Sequence, residues 1–214
     1  MFKQRPTHAL LASTTFLFGL TAFVTAPIQS SDETGSLSGS VTFDGAAAPA
    51  GVIVSDAVVY LMGDGLPSGP AAIEVPVLNQ SDLMFSPHVL TVVAGGQVEV
   101  RNNDAVMHNV NTVTLENRAL NKAQLAGMTF KTKFKRPEIV QVKCDVHSQM
   151  SAYIAVVPNR FFAQPSAEGS FTIADVPAGH YQLVGWHEKY GEVSYDVDVA
   201  EGQTVTASVN FTSS

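Results

Sequence analysis

Cysteine is nearly absent: Cys144 is the single one among 214 residues. No internal disulfide can form, so the fold must be held by its core. A lone thiol outside the cytoplasm is a liability unless it is buried or bound to metal. Charge is also sparse, 14% against 45% hydrophobic residues, a balance that excludes wholesale disorder. Basic residues are outnumbered, twelve to nineteen, and the formal charge is −7, which argues against nucleic acid as the main target. Long apolar runs are limited to one, Ala9 to Val24, preceded by Lys3 and Arg5 and followed by Val24-Thr25-Ala26. That layout predicts a signal peptide over residues 1–26. Pro27 would disfavour a cut after Ala26 and move it towards Ser30. The other reading is an uncleaved anchor, because the run is only slightly short of a bilayer span. With no second run, an exported protein, periplasmic or otherwise outside the cytoplasm, is expected, with no membrane contact beyond the signal segment.

What is abundant is β-structure. Val and Thr recur in short alternating runs broken by Gly, Pro, Asn and Asp. Strands are predicted at 37–43, 57–62, 89–93, 97–101, 139–143, 152–157, 171–173, 181–186, 193–199 and 204–211. Only Asn117–Ala126 reads as a short helix. Many short strands with close turns indicate β-sandwiches.

The two ends of this region look alike and the middle differs. Gly39-Ser-Val-Thr-Phe-Asp-Gly45 followed by Ala57-Val-Val-Tyr-Leu61 resembles the opening strands of the carboxypeptidase regulatory-like domain. Gly169-Ser-Phe-Thr-Ile-Ala-Asp-Val-Pro-Ala-Gly-His-Tyr-Gln-Leu183 resembles that domain's second half. The resemblance implies one small Ig-like or transthyretin-like sandwich made of residues 36–65 and 166–212, interrupted by a second domain over residues 70–160. Insertion of this kind is permissible where chain ends lie close together. The alternative is two sequential domains, with the first strands joining the middle sheet.

The strongest chemical signal is Cys144-Asp-Val-His147-Ser-Gln-Met150, which places a thiolate, an imidazole and a thioether within seven residues. Upstream, Asn102-Asn-Asp-Ala-Val-Met-His108 offers a second imidazole 36 residues before the cysteine. Two nitrogens, one thiolate and a weak axial thioether form the ligand set of a blue-copper electron-transfer site. The thiolate binds both oxidation states, and the imidazoles suit Cu(I) and Cu(II). Zinc has no use for the methionine. A Cys144/His147 hydrolase lacks a visible orienting group or oxyanion element.

The full set resembles the cupredoxins, and Cys-x-x-His-x-x-Met matches the short ligand loop of amicyanin. The resemblance implies a Greek-key sandwich with one copper ion, equatorial His108, Cys144 and His147, and axial Met150. It also makes Asn109 the residue that ties the two ligand segments together. Ser148 and Gln149 stand where relatives usually carry proline and an aromatic residue, which weakens the expectation of an apolar docking patch there. Chains of this combined type are often labelled methylamine-utilisation proteins.

The expectation is therefore an all-β, two-sandwich, exported, monomeric protein that is not an enzyme and passes single electrons. The rival is a copper-storing, copper-delivering or assembly protein. The partner is expected to be a redox protein, an acidic cytochrome or dehydrogenase. Residues 101–143 hold eight basic residues against three acidic ones, and Lys131, Lys133 and Lys135 alternate as if on one strand face. They are read either as steering groups near the copper or as edge protection. Among the remaining candidates, His88 reads as a turn residue and Trp186-His187-Glu188 as strand-end packing. Met84, Met107 and Met128 are scattered along the chain.

Overall fold

A computed structural model describes residues 34–69 and 75–213. The signal-peptide reading of residues 1–26, and the first residues of the 70–160 segment, lie outside these. The described residues form β1 (Thr34–Phe43), β2 (Val58–Met62), β3 (Val77–Ser81), β4 (Met84–Ser86) and β5 (Val89–Val93). There follow β6 (Gln97–Asn102), β7 (His108–Val113), β8 (Asn121–Gln124), β9 (Thr129–Lys133), β10 (Glu138–Lys143) and β11 (Ser151–Val157). The last are β12 (Phe162–Ala163), β13 (Ser170–Pro177), β14 (Gly179–His187), β15 (Gly191–Val199) and β16 (Thr204–Phe211).

The strands make four sheets, ordered β13-β1-β16, β12-β2-β14-β15, β5-β11-β10-β7-β8 and β4-β3-β6-β9. The first two sheets face each other across a core that includes Leu37, Phe43, Val59, Leu61, Leu183 and Phe211. Its strands come from both ends of the chain: β1 pairs with β13 and β16, and β2 with β12 and β14. Two local features explain the sequence there. A Cβ on Gly39 would lie 1.9 Å from the Ala207 carbonyl oxygen, so the close approach of β1 to β16 admits only glycine. The hydroxyl of Tyr181 donates to the Pro177 carbonyl at 3.0 Å, which pins the Val-Pro-Ala-Gly-His-Tyr turn.

The other two sheets enclose a second core, with Leu78, Val98, Val100, Val142 and Ile154 among its members. The chain leaves the first sandwich after β2 and returns at β12, and the exit and entry lie side by side. Leu61 N–H donates to the Phe161 carbonyl at 2.9 Å. Asn159 Nδ2 donates to the Leu61 carbonyl at 2.8 Å while its Oδ1 accepts Phe161 N–H at 2.9 Å. A third apolar cluster joins the sandwiches: Val58, Tyr60, Val184 and Trp186 pack against Val89, Val93, Ala155 and Val157. This explains why β2 is a continuous apolar run and why β5 is buried at every position, Thr91 included. Val59 and Leu61 point one way and Val58 and Tyr60 the other, so both faces of the strand are covered.

β3, β4, β7, β9 and β12 stand outside the strand ranges predicted from the sequence, and one predicted element is of the wrong type. Asn117–Ala126 is not helical: Asn121–Gln124 is β8, paired antiparallel with β7 from His108↔Gln124 to Asn111↔Asn121. Tertiary hydrogen bonds outweigh the weak helical propensity. Asn117 donates to Glu138 and accepts Lys135 N–H through its side chain, and Gln124 is buried in an amide cluster described below.

Candidate metal centre

The site lies where β7 begins and β10 ends, at one pole of the second sandwich. β7 carries His108 at its first position, and the Asp145–Gln149 loop follows β10. That loop is closed on itself, with Met150 N–H donating to the His147 carbonyl at 3.0 Å and Cys144 N–H to the Met150 carbonyl at 3.2 Å. The closure turns His147 back over Cys144. His108 Nδ1 and His147 Nδ1 are 3.0 Å apart, and Cys144 Sγ is 4.0 Å from His147 Nδ1. All three ligand atoms lie within 4.8 Å of one another. The His108–His147 and His147–Cys144 donor pairs are each close enough to share one ion at ordinary metal–ligand distances of about 2.0–2.3 Å. His108 is fully buried, Cys144 is 3% and Met150 1% exposed, while His147 keeps part of its surface open. Three of the four residues named from the sequence, His108, Cys144 and His147, are brought together, and Met150 lies nearby at the end of the loop that supplies two of them.

The donor set fits a metal. His108 Nε2 faces Asp104 Oδ2 at 2.7 Å. An imidazole that donates its single N–H from Nε2 to this carboxylate would present an Nδ1 lone pair to the centre. Asn109 joins the two ligand segments: its Oδ1 accepts Asp145 N–H at 2.6 Å, and its Nδ2 donates to Asp145 Oδ2 at 2.8 Å. Asn111 and Asn121 also donate to the Asp145 carboxylate, at 2.9 and 3.2 Å. The amide donors of Asn111 and Asn109 hold the Asp145 carboxyl below its ordinary pKa.

Sequence reasoning missed three parts of this pole. Asp104 and Asp145 were passed over as loop residues, although each stands within four positions of a ligand. Gln80, Asn102 and Gln124 form a fully buried amide cluster that bridges the two sheets beneath the site. Gln80 Nε2 donates to Gln124 Oε1 at 2.7 Å, and Asn102 Nδ2 to the carbonyls of Val106 and Gln124 at 2.9 and 3.0 Å. Polar side chains at 80 and 124 gave no sign of burial, because the hydrogen bonds that join them to each other and to β6 span 21 to 44 residues.

The pole's surface is apolar. Met84, Val106, Met107, Leu125, Met128 and Val146 are each between 43% and 59% exposed. Hydrogen bonds tie their loops to one another: Asp82 N–H to Asp104, Asn102 N–H to the Met128 carbonyl, and Gly127 N–H to the Asn102 carbonyl. The methionines that are scattered in sequence thus share one end of the sandwich. The apolar rim that Ser148 and Gln149 left in doubt is supplied by other loops.

The basic residues are distributed differently. Lys131 and Lys133 are exposed on β9 while Phe130 and Thr132 are half-buried. The register runs from Thr129↔Arg101 to Lys133↔Gln97, so the series leads away from the Asn102 end where the site lies. Lys131 also pairs with Glu99 at 3.5 Å. Lys143, just before Cys144, is exposed and is the basic residue nearest the centre in sequence.

Comparison with known proteins gives partial likenesses. No family model and no curated protein matches the chain. Among solved structures it is similar to a purple cupredoxin from Nitrosopumilus maritimus, with 18% identity and a TM-score of 0.34 over 38% of this chain and 98% of that one. An oxidized amicyanin variant gives 20% identity and a TM-score of 0.36 over 42% of this chain and 90% of that one. A copper-containing nitrite reductase from Thermus scotoductus gives 20% and 0.36 over 42% of this chain but only 24% of its own. The chemistry of the centre is read from its own side chains.

Proposed function

We propose that this protein is a cupredoxin-type electron carrier holding one copper ion through His108, Cys144, His147 and Met150. The observation that carries the reading is the convergence of two imidazole nitrogens and the chain's only thiol within 4.8 Å, closed by a loop that ends on a buried methionine. A bound copper ion supplies a one-electron couple between Cu(I) and Cu(II).

The chain's residues do the rest. Cys144, Met150 and Val142 belong to the second core, so the thiol side of the centre is dry and held rigid by packing. The amides around Asp145 fix the ligand loop against β7 and β8, so the donors stay in place when the charge at the centre changes. His147 alone reaches the surface, inside the apolar rim, and offers the shortest way out for an electron. A redox protein with an apolar contact face suits this pole, approached past Lys143. An acidic surface beside that face would be attracted.

The test is redox cycling. Metal-free protein loaded with one equivalent of Cu(II) should show an intense visible band that a mild reductant bleaches and an oxidant restores over many cycles. Irreversible bleaching, with the ion passing to an added acceptor protein, would indicate delivery instead.

A further inference from the structure

The loop between β6 and β7 carries a carboxylate that serves two neighbours. Asp104 Oδ2 lies 2.7 Å from His108 Nε2 and accepts Leu83 N–H at 3.1 Å; Oδ1 accepts Asp82 N–H at 2.7 Å. Its own N–H donates to Asn102 Oδ1 at 3.0 Å, and Asn102 is fully buried. The carboxylate is thus anchored from below by the amide cluster and from the side by a turn.

That turn is unusual. Asp82 and Leu83 have φ of 55° and 58° and join β3 to β4 in a two-residue hairpin. Consecutive left-handed residues suit such a connection, but Asn-Gly is the common choice. A leucine in this conformation carries backbone strain. The two N–H groups it presents converge on Asp104, whose acceptance of both is what the strained geometry achieves.

The consequence falls on His108. Its ring is fully buried and its Nε2 has one partner, an ionised carboxylate that can only accept. Both carboxylate oxygens are already oriented by backbone donors, Oδ1 by Asp82 N–H and Oδ2 by Leu83 N–H, and Oδ2 faces the ring nitrogen at 2.7 Å as an acceptor. The ring proton therefore sits on Nε2, and Nδ1 is bare towards Cys144 and His147. A carboxylate behind a metal-ligating imidazole also raises its basicity, and a stronger nitrogen donor favours Cu(II) over Cu(I).

We propose that Asp104 is the positioning residue of the centre: it fixes His108 as the Nε2–H tautomer and strengthens Nδ1 as a donor, lowering the reduction potential of bound copper. The effect on copper rests on the electron-carrier reading; the tautomer does not, because it belongs to the metal-free protein.

The experiment takes the full protein, 15N-labelled and metal-free, at neutral pH, and reads the His108 tautomer from two-bond 1H–15N correlations. Nε2 should carry the proton in the natural protein, and Asp104→Ala should shift His108 towards the Nδ1–H form. In copper-loaded protein, Asp104→Asn keeps an acceptor without the charge and should raise the reduction potential. An Nδ1–H tautomer in the natural protein, or an unchanged tautomer in Asp104→Ala, overturns the positioning role. If Asp104→Ala does not fold, the potential of Asp104→Asn decides, and an unchanged potential overturns the proposal. A tautomer that moves as expected in a protein with no thiolate–copper band would sink the electron-carrier reading and leave the positioning role standing.

Discussion

Met150 and Asn109 act on the centre in different ways, and substitutions separate them. Met150→Leu keeps the volume and the buried packing but removes the thioether. If Met150 donates its thioether to bound copper, the copper should stay bound and its reduction potential should rise, because loss of that donor would favour Cu(I). Voltammetry on the loaded protein checks this, and an unchanged potential would take Met150 out of the axial position. Asn109→Ala leaves Asp145 N–H without its acceptor and should cost about 1–3 kcal/mol, measured by chemical denaturation of the metal-free protein. At this scale the ligand types were legible, because thiol, imidazole and thioether are rare and stood three positions apart. The groups that hold them were not. Asp104, Gln80 and Gln124 look like ordinary polar residues until long-range pairing brings β3, β6 and β8 together.

Elements were legible where burial is one-sided or complete. β1 alternates and β5 is apolar at four of its five positions, and both patterns stand in the sequence as strands. β8 was misread because Asn117–Ala126 has neither pattern; side-chain hydrogen bonds to Glu138 and Gln80 hold it instead. The pairing of β2 with β14 has a direct consequence. Leu61→Ala should cost about 2–5 kcal/mol and reduce hydrogen-exchange protection in β14 and β16, more than a hundred residues on, while leaving the visible spectrum of bound copper unchanged. Protection lost only within β3 to β11 would contradict this. His187 ends β14 among the rings of Phe43, Tyr190 and Phe211 at 5.5, 5.5 and 5.9 Å, which makes it a packing residue with its Nε2 unpartnered. Burial lowers its pKa from 6.5. A base with a depressed folded pKa adds stability above its unfolded pKa and loses it as pH falls through the folded value. Stability should therefore decline below about pH 6.5, and His187→Leu should flatten that decline in denaturation curves taken across this range.

Four sheets stacked over three cores leave the ligand loops at one pole, with Val58, Trp186 and their neighbours holding the inserted sandwich against the other one. Composition made the all-β class and the lone thiol plain, but it did not show that the lysines of β9 run away from the centre or that Met84, Met107 and Met128 lie on hydrogen-bonded loops at one end of the sandwich. Docking should follow the second arrangement. Val146→Asp should slow electron exchange with an apolar-faced redox partner by about tenfold, roughly 1.4 kcal/mol, at low and high salt. Lys133→Glu should change it little, and Lys143→Glu should slow it mainly at low ionic strength. Electron exchange at this pole depends on a thiolate–copper bond at Cys144. The most direct measurement is the visible and EPR spectrum of the Cu(II)-loaded protein beside that of Cys144→Ser. An intense charge-transfer band in the first, lost in the second, is the expected result; a weak band in both, or a colour that survives the substitution, would contradict the account.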